Sequence, residues 1–249
     1  MLDMVAYWAP KQGTAFSDWE DGAAYSRCSG WFAVADGAST GINSREWAYT
    51  LTGSFISNRP ERALTDPATG FDEWVEMTRA GFDPGSRDFL PSRAPLWVQA
   101  EGSKRGAYAT LLAGRIAAGT LRAIAVGDCC LFLVRAAGRV ESFPLASPQD
   151  FDAHPQLVSS LPVQGRRPAS PPRPFERDLE AGDVVYVASD ALAQWLTGQR
   201  GNPAVWHMLS GIGNAGFRDL CADLWDGKHM KNDDITLLRA KFGSIEGRH

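Results

Sequence analysis

Acidic residues in this sequence fall at the ends of apolar runs. Asp36 closes WFAVA (31–35) and is followed by Gly37; Asp190 closes VVYVAS (184–189); Asp128 follows LRAIAV (121–126) across Gly127. The order is reversed elsewhere: Glu20 and Asp21 stand just before GAAYSR (22–27), and Asp233 and Asp234 just before ITLLRAKF (235–242). An acid that begins one strand and an acid that ends its antiparallel neighbour share one edge of a sheet. A hairpin turning near Cys28 and Ser29 therefore sets Glu20 and Asp21 beside Asp36, and the same reasoning can bring Asp190 to Asp233. Gly127 reads as a bulge that re-aims Asp128.

Carboxylates gathered in this way repel one another strongly unless some are protonated or cations lie between them. An all-oxygen set suits a hard cation, Mg²⁺ or Mn²⁺, and not Zn²⁺. His229 is the only histidine near these strand ends. Asp-Gly is also a common turn dipeptide, and loops are wet, so any one of these acids has a mundane explanation. Glu20, Asp21, Asp36, Asp190 and Asp233 together, each at a compatible strand end, are harder to explain that way.

The elements that must position the acids can be read coarsely. After the hairpin, Trp47, Leu51 and Phe55 recur at helical spacing, with Asn43 as a cap and Glu46 three residues on. A second helix is expected over 71–82, and 83–105 is broken by Pro84, Pro91 and Pro95. Residues 106–145 read as a β-meander. The Pro-rich stretch 146–177, which carries His154, Arg166 and Arg167, reads as a flap or linker. Helices are expected around 191–198, 203–211 and 215–226, and a last strand over 235–242. Strands in two sets with helices between and after them make an α+β layered domain with antiparallel sheets.

Composition narrows the function further. At 249 residues, 44% hydrophobic, the chain can bury a full core. A net charge of −4 without a dense basic stretch argues against a nucleic-acid partner. No apolar run is long enough to cross a bilayer, and MLDMVAYWAP does not read as a signal peptide. Cys28, Cys129, Cys130 and Cys221 form no Cys-x-x-Cys pair; they read as reduced thiols of a cytoplasmic protein. Of the nine tryptophans, Trp47, Trp195, Trp206 and Trp225 read as core anchors on helices, and Trp19 as core or as site entrance. IEGRH (245–249) has the look of an expression-tag remnant beginning near 244.

Four ordered blocks resemble those of the metal-dependent protein phosphatases, the type 2C serine/threonine phosphatases. They are WEDGAAY (19–25), FAVADGAST (32–40), GAYATLLAG with LRAIAVGDCCLFLV (106–134), and VVYVASDAL with NDDITLL (184–192 and 232–238). SREWA (44–48) is similar to the helix start of compact bacterial members. The resemblance implies a four-layer α-β-β-α sandwich of two antiparallel sheets flanked by helices, forming a single catalytic domain over 1–243. It implies two Mg²⁺ or Mn²⁺ ions with a third possible. Asp36 would bridge two of them, Gly37 would offer its carbonyl and Glu20 its carboxylate to one, and Asp21 would act through water. Asp190 and Asp233 would bind the other, Asp128 with Asp190 the third, and Asp234 replaces the usual Asn in a supporting role. A water activated between the metals would attack a phosphomonoester in line.

Two positions depart from the family pattern. A histidine that often follows Asp-Gly is Ala38 here, and an arginine often found four residues before the Glu-Asp pair is Phe16, leaving Lys11 as the nearest upstream cation for phosphate. The implied activity is a phosphoserine/phosphothreonine protein phosphatase of signalling, opposing a serine/threonine kinase or acting on its targets. A phosphatase-fold binding module that is weakly active or inactive, and a phosphatase of small phosphate esters, are the competing readings.

Overall fold

Alternation decides the architecture, because in these strands both faces are apolar. In β3 (Trp31–Asp36), Phe32 and Val34 point to one side and Trp31, Ala33 and Ala35 to the other, and all are buried. In β11 (Val184–Ala188), Val185 and Val187 separate from Tyr186 and Ala188 in the same way. Strands that are apolar on both faces must be covered on both faces. The computed structural model describes residues 2–15, 18–38, 43–83, 106–151, 154–162 and 171–243, and shows how this is done.

One sheet has the order β1-β12-β11-β7-β8, with β1 spanning Leu2–Ala9, β7 Cys130–Val134, β8 Val140–Phe143 and β12 Ile235–Phe242. The other has the order β10-β6-β5-β3-β2, with β2 spanning Asp21–Tyr25, β5 Leu111–Ala117, β6 Thr120–Val126 and β10 Arg173–Asp178. Their neighbouring strands are antiparallel. A short pair joins β4 (Tyr108–Ala109) to β9 (Val158–Ser159).

Three apolar layers follow. Met4, Phe32, Val34, Leu131, Val187 and Leu238 fill the space between the sheets. Trp31, Trp47, Leu51, Phe55 and Trp74 pack the second sheet against α1 (Ser44–Asn58), α2 (Glu61–Thr65) and α3 (Pro67–Ala80). Tyr7, Phe132, Tyr186, Leu192, Trp206 and Phe217 pack the first sheet against α4 (Asp190–Gly198), α5 (Pro203–Gly211) and α6 (Asn214–Asp226). At roughly 1.5–3 kcal/mol for each large apolar side chain buried, these layers supply the main driving force. The result is the expected α-β-β-α sandwich.

Several local expectations are corrected. The strand β1 was not anticipated, although its buried positions Met4, Tyr7 and Ala9 are spaced for a sheet. Asn43 stands at the N-cap of α1, but with φ 68° its side chain makes no capping hydrogen bond, so no capping box forms with Glu46. The helix expected over 71–82 begins earlier, at Pro67. The meander is not one sheet: β5 and β6 belong to one and β7 and β8 to the other. Gly127, at φ 95°, lies where the chain changes sheets and is therefore a crossover and not a bulge within a strand. A Cβ there would stand 2.6 Å from Thr110 Cγ2 and 2.7 Å from the Gln156 carbonyl oxygen.

The Pro-rich stretch 146–177 is anchored at both ends of its described part. Ser147 and Asp150 form a capping box around Pro148–Asp150, and β10 pairs along β6. Pro174 is tolerated because β10 is an edge strand. Residues 84–105, Phe16, Arg166, Arg167 and the tag-like 244–249 lie outside the described residues. No described helix is long and apolar enough to cross a membrane.

Candidate metal centre

The register of the first hairpin places Asp21 directly opposite Asp36. Asp36 is then fixed to the next strand: its N–H donates to Thr110 Oγ1 at 3.2 Å, and the Thr110 N–H donates to the Asp36 carbonyl at 2.9 Å. Gly37 continues this contact as an isolated bridge to Ala109. It must lack a side chain, because a Cβ would lie 2.9 Å from both the Glu20 and the Ser44 carbonyl oxygens. On the other sheet, the Ser189 N–H donates to the Thr236 carbonyl at 3.1 Å and the Thr236 N–H donates to Ser189 Oγ at 2.9 Å. That pair draws Asp190, at the start of α4, toward the residues preceding β12. The Lys231 ammonium touches both acids there, 2.5 Å from Asp233 Oδ2 and 3.6 Å from Asp190 Oδ2.

The acids from the two sheets feel one another. Withdrawal from water raises the Asp36 carboxyl well above the usual range, and Asp21, Asp190, Asp233 and Asp128 each raise it further. Burial likewise raises Asp21, against hydrogen bonds from Thr236 and Ser189. Burial and the Asp190 charge push Asp128 up to about 7. Burial raises Asp190, with Asp233 adding to it and Lys231 opposing it. Acids at strand ends of both sheets thus act electrostatically on Asp36, and Asp21 faces it directly across the hairpin.

Asp183 is an instructive contrast. It too precedes an apolar strand, β11, but at the opposite end from Asp190. There its carboxylate accepts from Arg135 Nη1 at 2.9 Å and from the Ala136 and Glu180 N–H groups at 3.0 and 2.9 Å. Its hydrogen bonding is met by the protein itself. The edge acids differ: Asp21 Oδ1 and Asp128 Oδ1 are buried with no hydrogen-bond partner. Buried carboxylate oxygens left in this state are costly, and an all-oxygen set of this kind fits a hard divalent cation. As the side chains stand, no three His, Cys, Asp or Glu groups among the described residues form a closed ligand set. Lysine ammonium groups lie against the acids instead: Lys231 as above, and Lys11 Nζ at 3.4 Å from Glu20 Oε2 and 3.9 Å from Asp234 Oδ2.

Supporting residues complete the edge. Asp234 accepts the Lys11 N–H on Oδ1 and the Glu20 N–H on Oδ2, each at 2.9 Å. Thr236 Oγ1 donates to Asp21 Oδ2 at 2.7 Å. Thr110, Ser189, Thr236 and Lys231 were not singled out from sequence. The first three lie within the quoted motif blocks, so the blocks carried the signal, whereas nothing in the sequence marked Lys231. Trp19 is buried, 6.0 Å from the Tyr49 ring, and belongs to the core. Trp195 and Trp225, expected as core anchors, are only half-buried and line a cleft of about 570 Å³ with His229 and Lys231. His154 and His229 are exposed. All four cysteines are free, and Cys129 and Cys130 point into different layers.

The four-layer sandwich of two antiparallel sheets flanked by helices is the fold of solved type 2C serine/threonine phosphatases, and this chain has that fold. It is similar to the serine/threonine phosphatase PstP/Ppp of Mycobacterium tuberculosis, at 16% identity and a TM-score of 0.64, over 98% of this chain and 99% of that one. It is similar to the serine/threonine phosphatase Stp1 of Staphylococcus aureus, at 14% identity and a TM-score of 0.64, over 98% and 96%. A PstP catalytic domain in complex with two manganese ions matches at 18% identity and a TM-score of 0.60, over 98% and 99%. No protein-family model and no curated protein matches the sequence.

Proposed function

We propose that this chain is a Mg²⁺- or Mn²⁺-dependent phosphatase acting on phosphoserine or phosphothreonine in proteins, as a single catalytic domain over 1–243. The observations that support the reading are the pairing of Asp21 with Asp36 across the hairpin, the joining of Asp190 and Asp233 by one ammonium, and the buried oxygens of Asp21 and Asp128 left without partners. Two manganese ions in a structure of the same fold support it. Asp36 would hold both principal ions, with Glu20 and the Gly37 carbonyl on one side and Asp190 and Asp233 on the other. Asp21 would act through water, and Asp128 with Asp190 would hold a third ion.

Such ions lower the pKa of a water that becomes the nucleophile, and they neutralise charge on the phosphoryl oxygens. The chain's own residues do the rest. Thr110 and the Gly37 approach set the position of Asp36. Thr236 and Ser189 orient Asp21, and Asp234 holds the main chain of Glu20 and Lys11. Lys11 contributes a cation at the rim where phosphate would enter. Ala38 supplies no proton to the leaving alcohol; its N–H donates to the Tyr108 carbonyl at 2.9 Å. A cytoplasmic phosphoprotein, a serine/threonine kinase or its target, suits a protein with four free thiols.

The test is hydrolysis of p-nitrophenyl phosphate and of a phosphopeptide with and without Mn²⁺. Stimulation by the metal, lost in Asp36→Asn, is expected; equal inactivity of both proteins across metals would defeat the catalytic reading. The Ala38 position favours a second reading, a binding module on the same fold. Calorimetric titration with Mn²⁺ separates the two, since a pure scaffold would bind none. Turnover of small phosphate esters exceeding that of phosphopeptides would instead assign a metabolite phosphatase.

A further inference from the structure

Lys231 combines two properties that no other cation at the acidic edge shares among the described residues. Its ammonium lies on the carboxylates of both Asp233 and Asp190, at 2.5 and 3.6 Å, yet its side chain is 63% exposed. Its main chain is held, because Trp225 Nε1 donates to the Lys231 carbonyl at 3.1 Å. The base of the side chain is therefore fixed while its tip can leave. Lys11 differs in its exposure and in the acids it meets. It is 26% exposed, its N–H is bound by Asp234, and its ammonium sits between Glu20 and Asp234.

A divalent ion takes carboxylate oxygens at roughly 2.0–2.2 Å, and an ammonium on the same lone pairs would both block it and repel it. Filling the Asp190–Asp233 pair with such an ion must expel Lys231. Rotation of an exposed four-carbon side chain is enough, with no main-chain movement. The expelled ammonium stays at the rim of the cleft that Lys231 lines with Trp195, Trp225 and His229.

We propose that Lys231 is the site's own exchangeable cation, resting on Asp190 and Asp233 without metal and, once displaced by a divalent ion, binding the phosphate of the substrate. This rests on the metal-dependent reading above and adds to it. Metal loading and phosphate capture become coupled through one side chain, which takes over work the chain lacks an upstream arginine to do. A single substitution should then move two affinities in opposite directions, which loss of fold or loss of general attraction cannot do.

The experiment is calorimetric titration of Mn²⁺ into the metal-free protein, and of inorganic phosphate into the Mn²⁺-loaded protein, for wild type, Lys231→Gln and Lys231→Arg. Lys231→Gln should bind the weaker manganese ion about tenfold more tightly, equivalent to ~1.4 kcal/mol, and phosphate about tenfold more weakly. Lys231→Arg should stay close to wild type in both. Unchanged or weakened manganese binding in Lys231→Gln overturns the proposal, and so does unchanged phosphate binding. Wild-type protein that binds no manganese at all would overturn the metal reading and this proposal with it, an outcome distinct from normal metal binding that ignores Lys231.

Discussion

Asp234 accepts the main-chain N–H of Glu20 on Oδ2 at 2.9 Å, joining the residue before β2 to the residue before β12. Its other oxygen accepts the Lys11 N–H at the same distance. With both oxygens engaged by donors, an amide at this position would turn an NH₂ toward an N–H. Asp234→Asn should therefore lose one of the two bonds, and Asp234→Ala both. The expected cost is about 1 kcal/mol for the first and about 2 kcal/mol for the second, in the range for buried hydrogen bonds. Manganese affinity should fall in the same order. Urea midpoints and metal titration check this, and an Asp234→Asn protein as stable as wild type would contradict it.

Gly37 has no room for a methyl group. A Cβ 2.9 Å from the Glu20 and Ser44 carbonyl oxygens would push β3 away from both β2 and α1. Gly37→Ala should destabilise the fold by about 1–3 kcal/mol, the usual cost of overpacking, and should weaken metal binding by parting Glu20 from Asp36. Wild-type stability with wild-type metal affinity would show that the backbone relaxes there freely.

On the proposed phosphatase reading, Ala38 itself offers no proton to a departing alkoxide. The defect should matter little for p-nitrophenol, which leaves easily, and greatly for serine. Ala38→His should raise phosphopeptide turnover by about tenfold or more, within the usual range for a positioned acid, while leaving p-nitrophenyl phosphate turnover nearly unchanged. Equal effects on both substrates would assign residue 38 some other role.

The raised carboxyls carry a sign for stability against pH. In the metal-free protein Asp21, Asp36, Asp128 and Asp190 have folded pKa values above their unfolded ones. Their contribution is fully present below about pH 4, the unfolded carboxylate value, and is lost as pH rises through the folded values. For Asp128 that loss extends to about 7. Divalent ions favour the ionised forms, so the rise in Tm on adding Mn²⁺ should be larger near pH 7.5 than near pH 5. Thermal melts at the two pH values decide the point, and an equal rise at both would contradict it.

The edge was legible because hairpin register is a strong constraint. Once GAAYSR and WFAVA pair around Cys28 and Ser29, Asp21 has little choice but to face Asp36. What escaped had physical reasons. The strand β10 was hidden by Pro174 and the prolines just before it, Pro171 and Pro172; an edge strand tolerates such a residue on its unpaired side. The division of the meander between two sheets depends on Gly127 and on packing against Thr110, a contact between residues distant in sequence. Asn43 has the residue type of a cap, yet its left-handed φ of 68° takes the side chain out of the bonding position. Lys231 looks like any surface lysine until Trp225 and the two aspartates are brought around it.

The strand β12 lies between β1 and β11 in its sheet, so the acids at 233 and 234 take their places only when residues from near the start of the chain and from its last described strand lie side by side. A polypeptide still emerging from the ribosome would hold Asp21 and Asp36 together and lack Asp190, Asp233 and the Thr236 hydroxyl that steadies Asp21. The half-built edge has little to offer a divalent ion. The edge would then be completed late and all at once, withheld during synthesis by the order in which the strands are made.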